Sequence, residues 1–365
     1  VPFREHVDGL KPYPAQAPLE QLQVQYGVER MVKLSSNEGA FGPVDAAREV
    51  IERGAPDLRR YPDSAALTLR DAIAQQHVVA LDNVVLGNGA DELIRLAGLA
   101  TLDPGDNGVF PWPSFPTYVA ACAAQGAQPQ KIPLSGDRRF DFAALRDAID
   151  ERTKIVFIAN PNNPTGLLAP RAQLERFIDE LPRGVLLVLD EAYAEYAAGD
   201  DEPSGVNLVR EGVDNLVVLR TFSKIHGLAG LRIGYAVASR PAAKALQSLR
   251  NLFNVNALAQ AAALASLHEE AEIERRAEQT RGARTQLLQW LALAGHKPLP
   301  SRANFVFAEV GSGTGPELAD ALLAEGVMIR ALDGFGAPEA VRVTVGTDEE
   351  NQVFATALDR ISSHG

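Results

Sequence analysis

The sequence predicts an α/β protein in which a large, doubly wound, mostly parallel seven-stranded sheet domain precedes a smaller α+β domain at the C-terminal end. Three observations carry that expectation. Between about Asp82 and Val237, seven short apolar runs alternate with helical stretches. After Pro241 the texture turns to alanine-rich helix. Beyond Gly295 a second, shorter set of strand and helix patterns follows.

Residues 1–30 are proline-rich and weakly periodic, and read as an arm lying on another surface. Residues 31–245 make the large domain. Its runs "NVVLG", "NGVF", "QKIPL", "KIVFIAN", "VLLVLDEAY", "NLVVLR" and "LRIGYAVA" are continuously apolar, as expected of buried parallel strands covered by helices on both faces. The segments between them carry helix starts: Asp141 caps "DFAALRDAID" and Pro170 opens "APRAQLERFIDELP". Residues 246–365 hold a long connector helix and the small domain, in which "ANFVFAEV", "GPELADALLAEG", "VMIRAL", "AVRVTVGT" and "DEENQVFATALDRI" read as strand, helix, strand, strand, helix. Alternation in "VRVTV" puts Val341, Val343 and Val345 on one face and Arg342 with Thr344 on the other. One arginine is thereby held on a non-core strand face.

A chain of 365 residues can bury roughly three quarters of its unfolded surface, enough for about two domains. Its 46% hydrophobic and 22% charged content is ordinary for a soluble enzyme-sized chain, and no run nears the ~20 apolar residues of a membrane span. The stretch "VPFREHVDGL" lacks the pattern of a signal peptide. A single cysteine, Cys122, leaves neither an intramolecular disulfide nor a thiolate cluster for zinc. A cytoplasmic protein with no metal is expected. The net charge of −12 disfavours nucleic acid and anionic membrane as partners and points to small-molecule substrates.

In "VVLGNGADELIRLAG" a glycine-rich turn leads from a strand into a helix, a place where backbone N–H groups bind phosphate. The acidic strand end in "VLLVLDEAY" resembles that of an ATPase, but no G-x-x-x-x-G-K-[ST] loop accompanies it, and no G-x-G-x-x-G follows a first strand. Pyridoxal phosphate has different needs: an amine for a Schiff base, a carboxylate for its ring nitrogen, donors for its phenolic oxygen and an anion site for its phosphate. Each is on offer at a strand's C-terminal end, where open α/β sheets bind ligands. Asp190 and Tyr193 follow "VLLVL", Asn163 follows "KIVFIAN", Lys224 follows "NLVVL", and Arg232 lies eight residues beyond the lysine.

The motifs "ANPNNPTG", "LDEAYAEY" and "RTFSKIHGLAGLRIGY", in this order, resemble the fold-type I pyridoxal-phosphate aminotransferases of class I/II. The pieces "KLSSNEGAFGP", "RRYPD", "GNGADELI", "SRANFVF" and "AVRVTVGT" narrow the resemblance to the histidinol-phosphate aminotransferase family, over nearly the whole chain. The resemblance implies that Lys224 is the Schiff-base lysine and the base that moves the substrate's proton, that Asp190 partners the ring nitrogen, and that Tyr193 and Asn163 bond the phenolic oxygen. Thr221, Ser223 and Arg232 match its phosphate ligands, and Gly89, Ala90 and Asp91 the helix N-terminus that takes the phosphate. Phe115 falls where an aromatic stacks on the pyridine ring, with Tyr118, one turn on, as the alternative, while Asn162 reads as a turn residue. Tyr61 matches a tyrosine that reaches into the neighbouring subunit's site, which implies a homodimer. Arg342 matches the arginine for the substrate carboxylate, and Arg330 and Tyr13 match residues near the distal end of the substrate.

One motif departs from the family pattern. Its loop at the substrate entrance commonly reads Asn-Glu-Asn-Pro, whereas here it is Asn37-Glu38-Gly39-Ala40. Glycine and alanine there are expected to free the backbone and to bear on substrate choice through Asn37 and its neighbours, without disturbing the cofactor chemistry. The resulting expectation is a transaminase using histidinol phosphate and 2-oxoglutarate. The alternatives are an aromatic amino-acid transaminase and a pyridoxal-phosphate decarboxylase of a phosphorylated amino acid.

Overall fold

The structure is a computed structural model that describes residues 3–8, 10, 17–54, 58–197 and 204–363. Among these the strands are β1 (Val32–Lys33), β2 (Val84–Gly87), β3 (Asn107–Trp112), β4 (Gln128–Pro133), β5 (Thr153–Ala159), β6 (Leu186–Asp190), β7 (Leu216–Thr221), β8 (Gly234–Ala238), β9 (Lys297–Pro298), β10 (Phe305–Glu309), β11 (Val327–Met328), β12 (Arg330–Ala331) and β13 (Ala340–Thr344). The large sheet has the seven strands expected, in the order β2-β8-β7-β6-β5-β3-β4. Only β8 runs antiparallel to its neighbours.

The central strands are apolar on both faces because two cores need them. Val156 and Ile158 of β5, Leu187 and Leu189 of β6, and Leu216 and Val218 of β7 pack into one core. Their alternates Ile155, Phe157, Val188, Val217 and Leu219 pack into the other. Each such side chain, fully buried, contributes about 1.5–3 kcal/mol. Helices on each face shut out water, so the sheet can offer a ligand only its ends. Asp141 caps its helix as expected, accepting from the Ala144 N–H at 2.9 Å.

The small sheet runs β12-β13-β10-β9, all antiparallel. Val341, Val343 and Val345 enter its core with Val306, Leu287, Leu291 and Phe354. The connector is two helices, Ala257–Leu267 and Glu270–Leu293, broken around His268 and Glu269. The second, 24 residues long, spans about 36 Å and supplies Leu287 and Leu291 to the small core.

Two differences from the sequence reading concern the N-terminal part. The presumed arm contains a helix, Leu19–Tyr26, whose Leu22 is buried with Met31 and Met328. The strand β1, assigned to the large domain by a boundary at residue 31, pairs in parallel with β11 of the small one. A two-residue strand has no periodicity to read, and its partner lies some 295 positions away. The two parts also meet where Arg138 pairs with Glu309 and Glu339 and where Trp112 lies so close to Gly336 that a Cβ there would overlap its ring.

Candidate active site

A cleft of about 230 Å³ opens at the C-terminal ends of β5, β6 and β7. Lys224, Asp190, Tyr193, Asn163, Thr221, Ser223, Arg232, Ala90, Asp91, Phe115, Asn37, Arg330 and Arg342 all line it. Thirteen residues singled out in eight separate stretches of sequence thus converge on one cavity.

Asp190 closes β6. Its Oδ1 accepts from the Ala192 N–H (3.1 Å) and its Oδ2 from the Tyr118 hydroxyl (2.9 Å). Burial pushes its carboxyl up to about 6, against the pull of the Tyr118 hydrogen bond. Lys224 follows β7 and donates from Nζ to the Ser36 carbonyl at 3.4 Å. Its amine is driven down to about 7, first by burial and next by the charge of Arg342. Its Nζ lies 5.6 Å from the centroid of the Tyr193 ring. Tyr193 accepts at its hydroxyl from Asn37 Nδ2 (3.0 Å), and burial raises its pKa.

At one end of the cleft the residues suit an anion. The helix Gly89–Thr101 starts here, with Gly89 at φ 76°. A Cβ on Gly89 would overlap the Arg232 guanidinium, so glycine is what lets that arginine lie over the helix N-terminus. Arg232, itself at φ 57°, donates to Ser223 Oγ (3.4 Å) and the Ala229 carbonyl (3.1 Å). The Asp91 carboxylate is taken up by Thr117 Oγ1 (2.6 Å) and Arg95 Nε (3.0 Å), so Asp91 can offer an anion only its backbone N–H.

At the other end stand Arg342 and Arg330, directly opposite one another in the β12–β13 register. Arg342 donates to Asn163 Oδ1 (2.5 Å) and the Ser35 carbonyl (2.8 Å), and lies 5.4 Å from the ring centroid of Phe305 and 5.6 Å from that of Phe335. Thr344, on the same strand face, bonds Asn37 at both its N–H (3.0 Å) and Oδ1 (3.1 Å).

One expectation, that of a freed entrance loop, meets a different outcome. Gly39 does not loosen the loop it belongs to: a Cβ there would overlap the Lys224 carbonyl oxygen, so the glycine marks a close approach to the lysine's own turn. Arg276 holds the two segments together by donating to the carbonyls of Gly42 (2.8 Å) and Ile225 (3.1 Å). Tyr61 does not enter the cleft of its own chain; it is 82% exposed and stacks on Phe253 at 4.6 Å. Tyr13 lies outside the described residues. Of Phe115 and Tyr118, Phe115 lines the cleft and Tyr118 is fully buried. Asn162 is a turn residue, accepting from Ser114 Oγ (3.1 Å) and donating to Thr165 Oγ1 (3.1 Å). Sequence reasoning missed Ser36, Ala159, Ala192 and Phe335. The sequence signal for Phe335 is an aromatic set between glycines in the loop that joins the strands of Arg330 and Arg342.

The residues present fit pyridoxal phosphate. A buried carboxylate faces a cavity with an amine of lowered pKa, an aromatic side chain on its wall, and an anion cradle that a Cβ on Gly89 would fill. The pattern of aminotransferase class I and II matches residues 29–358. A histidinol-phosphate aminotransferase of Moorella thermoacetica is 38% identical over 98% of this chain and 92% of its own length. Among solved structures, the histidinol-phosphate aminotransferase of Sinorhizobium meliloti in complex with pyridoxal-5'-phosphate has a TM-score of 0.89 at 29% identity, covering 99% of this chain and 98% of that one. The L-threonine-O-3-phosphate decarboxylase of Porphyromonas gingivalis has a TM-score of 0.79 at 25% identity, covering 91% of this chain and 100% of that one. Sheet, cleft and likenesses lead to one conclusion: the chain belongs to the aminotransferase class I and II family and is a pyridoxal-phosphate-dependent transaminase.

Proposed function

We propose that the chain moves an amino group from histidinol phosphate to 2-oxoglutarate, and that the residues of the cleft hold the roles expected of them from sequence. The observation that carries the substrate reading is the opposed pair of Arg330 and Arg342 on neighbouring strands, both lining the cleft. Histidinol phosphate has no carboxylate and ends in a phosphate; 2-oxoglutarate carries a carboxylate at each end. Two guanidinium groups serve both, because the planar fork pairs with carboxylate and phosphate alike. A neutral aromatic side chain gains nothing from the second arginine.

When bound, the cofactor supplies an aldehyde carbon for amines and a ring that accepts electrons from the substrate's α-carbon. Lys224 is its attachment point, and its amine, lowered to about 7, is in substantial part uncharged near neutral pH and so available as nucleophile and base. Asp190 keeps the ring nitrogen protonated, and Tyr193 and Asn163 orient the phenolic oxygen. Arg232, Ser223, Thr221 and the N–H groups at Gly89–Asp91 hold the phosphate. Phe115 covers the ring, and Arg342 takes the carboxylate of the oxo acid while Arg330 takes the distal anion. Lys224 and Asp190 belong to the unit 31–245 and both arginines to the unit 246–365, which we take as the two domains, with β1 joined to the smaller.

The test is a donor panel with 2-oxoglutarate as acceptor. The specificity constant for histidinol phosphate is expected to exceed those for phenylalanine and tyrosine; comparable turnover of phenylalanine would move the assignment to an aromatic transaminase. Threonine O-phosphate belongs in the panel, and release of CO2 from it would favour the decarboxylase reading.

The same reading includes a homodimer in which Tyr61 enters the partner's cleft. An exposed Tyr61, stacked on half-buried Phe253 beside an exposed Leu252, supports it, since exposed apolar groups of this size mark contact surfaces. Mixing two inactive variants, Tyr61→Ala and Lys224→Ala, under exchange of subunits should restore activity, because the hybrid holds one complete site. No recovery would refute the shared site. A cytoplasmic location is part of the same proposed reading; separately, among the described residues no helix is long and apolar enough to cross a membrane.

A further inference from the structure

We propose that Tyr118 is a positioning residue that holds the Asp190 carboxylate in line with, and charged toward, the nitrogen of the bound ring. The inference rests on Asp190 being the ring-nitrogen partner. Asp190 ends its strand with one oxygen tied to the N–H of its own turn and the other to Tyr118, whose hydroxyl donates at 2.9 Å across 72 positions of sequence. The two bonds come from opposite origins, local backbone and distant side chain, and together they remove the carboxylate's freedom to rotate.

Tyr118 can hold this position because its ring is packed on every side. It stacks on Phe157 with centroids 4.8 Å apart and planes 7° apart, lies 6.0 Å from Phe110, and meets Phe115 edge-on at 5.8 Å and 85°. The last contact links the carboxylate's support to the aromatic that lines the cleft. Tyr118 itself is completely buried and touches the cavity nowhere, so a direct part in the chemistry is closed to it.

The hydroxyl also decides which form of Asp190 the fold tolerates. Burial favours the neutral carboxyl, and the Tyr118 bond opposes burial. Burial also raises the phenol's pKa well above the ordinary range, so the hydroxyl stays a donor. A charge-assisted bond of this kind is lost entirely when the hydroxyl is removed, while phenylalanine preserves the packing on Phe157 and Phe115.

The experiment compares Tyr118→Phe with the unaltered chain, each stripped of cofactor and titrated with pyridoxal phosphate and with its 1-deaza analogue, in which carbon replaces the ring nitrogen. The unaltered chain should bind pyridoxal phosphate more tightly than the analogue. In Tyr118→Phe this preference should shrink by about tenfold or more, chiefly through weaker binding of pyridoxal phosphate. Asp190→Asn should abolish the preference, and adding Tyr118→Phe to it should change nothing further. Equal weakening of both ligands in Tyr118→Phe would mean a merely structural residue and overturn the proposal, as would a preference left intact. If the unaltered chain shows no preference, the assignment of Asp190 falls first and the role of Tyr118 with it.

Discussion

One wall of the cleft grows from the ends of three adjacent parallel strands, β5, β6 and β7, each buried on both faces, while the facing wall is made by two short antiparallel strands of a separate sheet. On the first wall Asp190 and the turn with Lys224 are anchored by a sheet whose side chains fill two cores. On the second, Arg330 stands on a strand of two residues. The comparison teaches a division of labour. On the proposed roles, groups that every substrate needs sit where the backbone has least freedom, and groups that discriminate among substrates sit on short strands outside the large sheet.

The division breaks at once if the first wall proves dispensable. Lys224→Ala should cost on the order of 10³-fold or more in kcat for every donor, since attachment and proton transfer are lost together. It should also remove the cofactor adduct trapped by borohydride. An adduct on another lysine would reassign the site.

Asp190→Asn should lower kcat on the order of 10²-fold for all donors alike and, in the cofactor-free chain, change stability with a definite sign. The folded carboxyl is pushed up to about 6 from an ordinary 3.8, so the folded state holds more protons than the unfolded one between those values. Stability is therefore lost as pH rises through that window. Asn removes the penalty, so the variant should be more stable than the parent at pH 7 by at most about 3 kcal/mol, with the gain vanishing toward pH 4. Lys224 has the opposite slope: its amine is lowered to about 7, and stability is gained as pH rises from about 7 toward 10.5. Urea melts of the cofactor-free variants across pH 4–9 separate the two signs.

Arg330→Ala tests the second wall. It should raise KM for histidinol phosphate and narrow its preference over phenylalanine by about tenfold or more, the scale of one charge-assisted pair. Its kcat with phenylalanine should change little. A uniform fall in kcat across donors would place Arg330 with the first wall and end the contrast.

The first wall was legible from sequence because its chemistry is local. Asp190, Asn163 and Lys224 each follow an apolar run that names a buried strand, and the strand's end names the ligand face. Arg342 was legible for a related reason, as period-2 alternation assigns it a face opposite Val341 and Val343. The bond from Tyr118 to Asp190 was not, since nothing in the sequence states which hydroxyl crosses 72 positions to meet a carboxylate. Phe335 and the pairing of β1 with β11 escaped because short strands and loops carry no periodicity. Gly39 was misread in kind: a glycine can mean backbone freedom or backbone proximity, and only the fold tells which.

Gly39 offers the finest test, because it touches both halves. Its α-carbon faces the Lys224 carbonyl, Gly227 of the lysine's turn packs on the carbonyl of Gly42, and Arg276 bonds Gly42 and Ile225 together. Loop and turn therefore move as one body. A methyl group at position 39 cannot be absorbed by a side chain stepping aside, since the atom it meets is backbone; the turn bearing Lys224 must shift instead. Gly39→Ala should accordingly cost about 1–3 kcal/mol of stability and reduce kcat several-fold, by the same factor for histidinol phosphate and for phenylalanine. Were the loop a free flap over the entrance, the substitution would leave kcat alone and alter KM for one donor only. Steady-state kinetics on both donors, beside a urea melt, decide between a loop that admits substrate and a loop that braces the lysine.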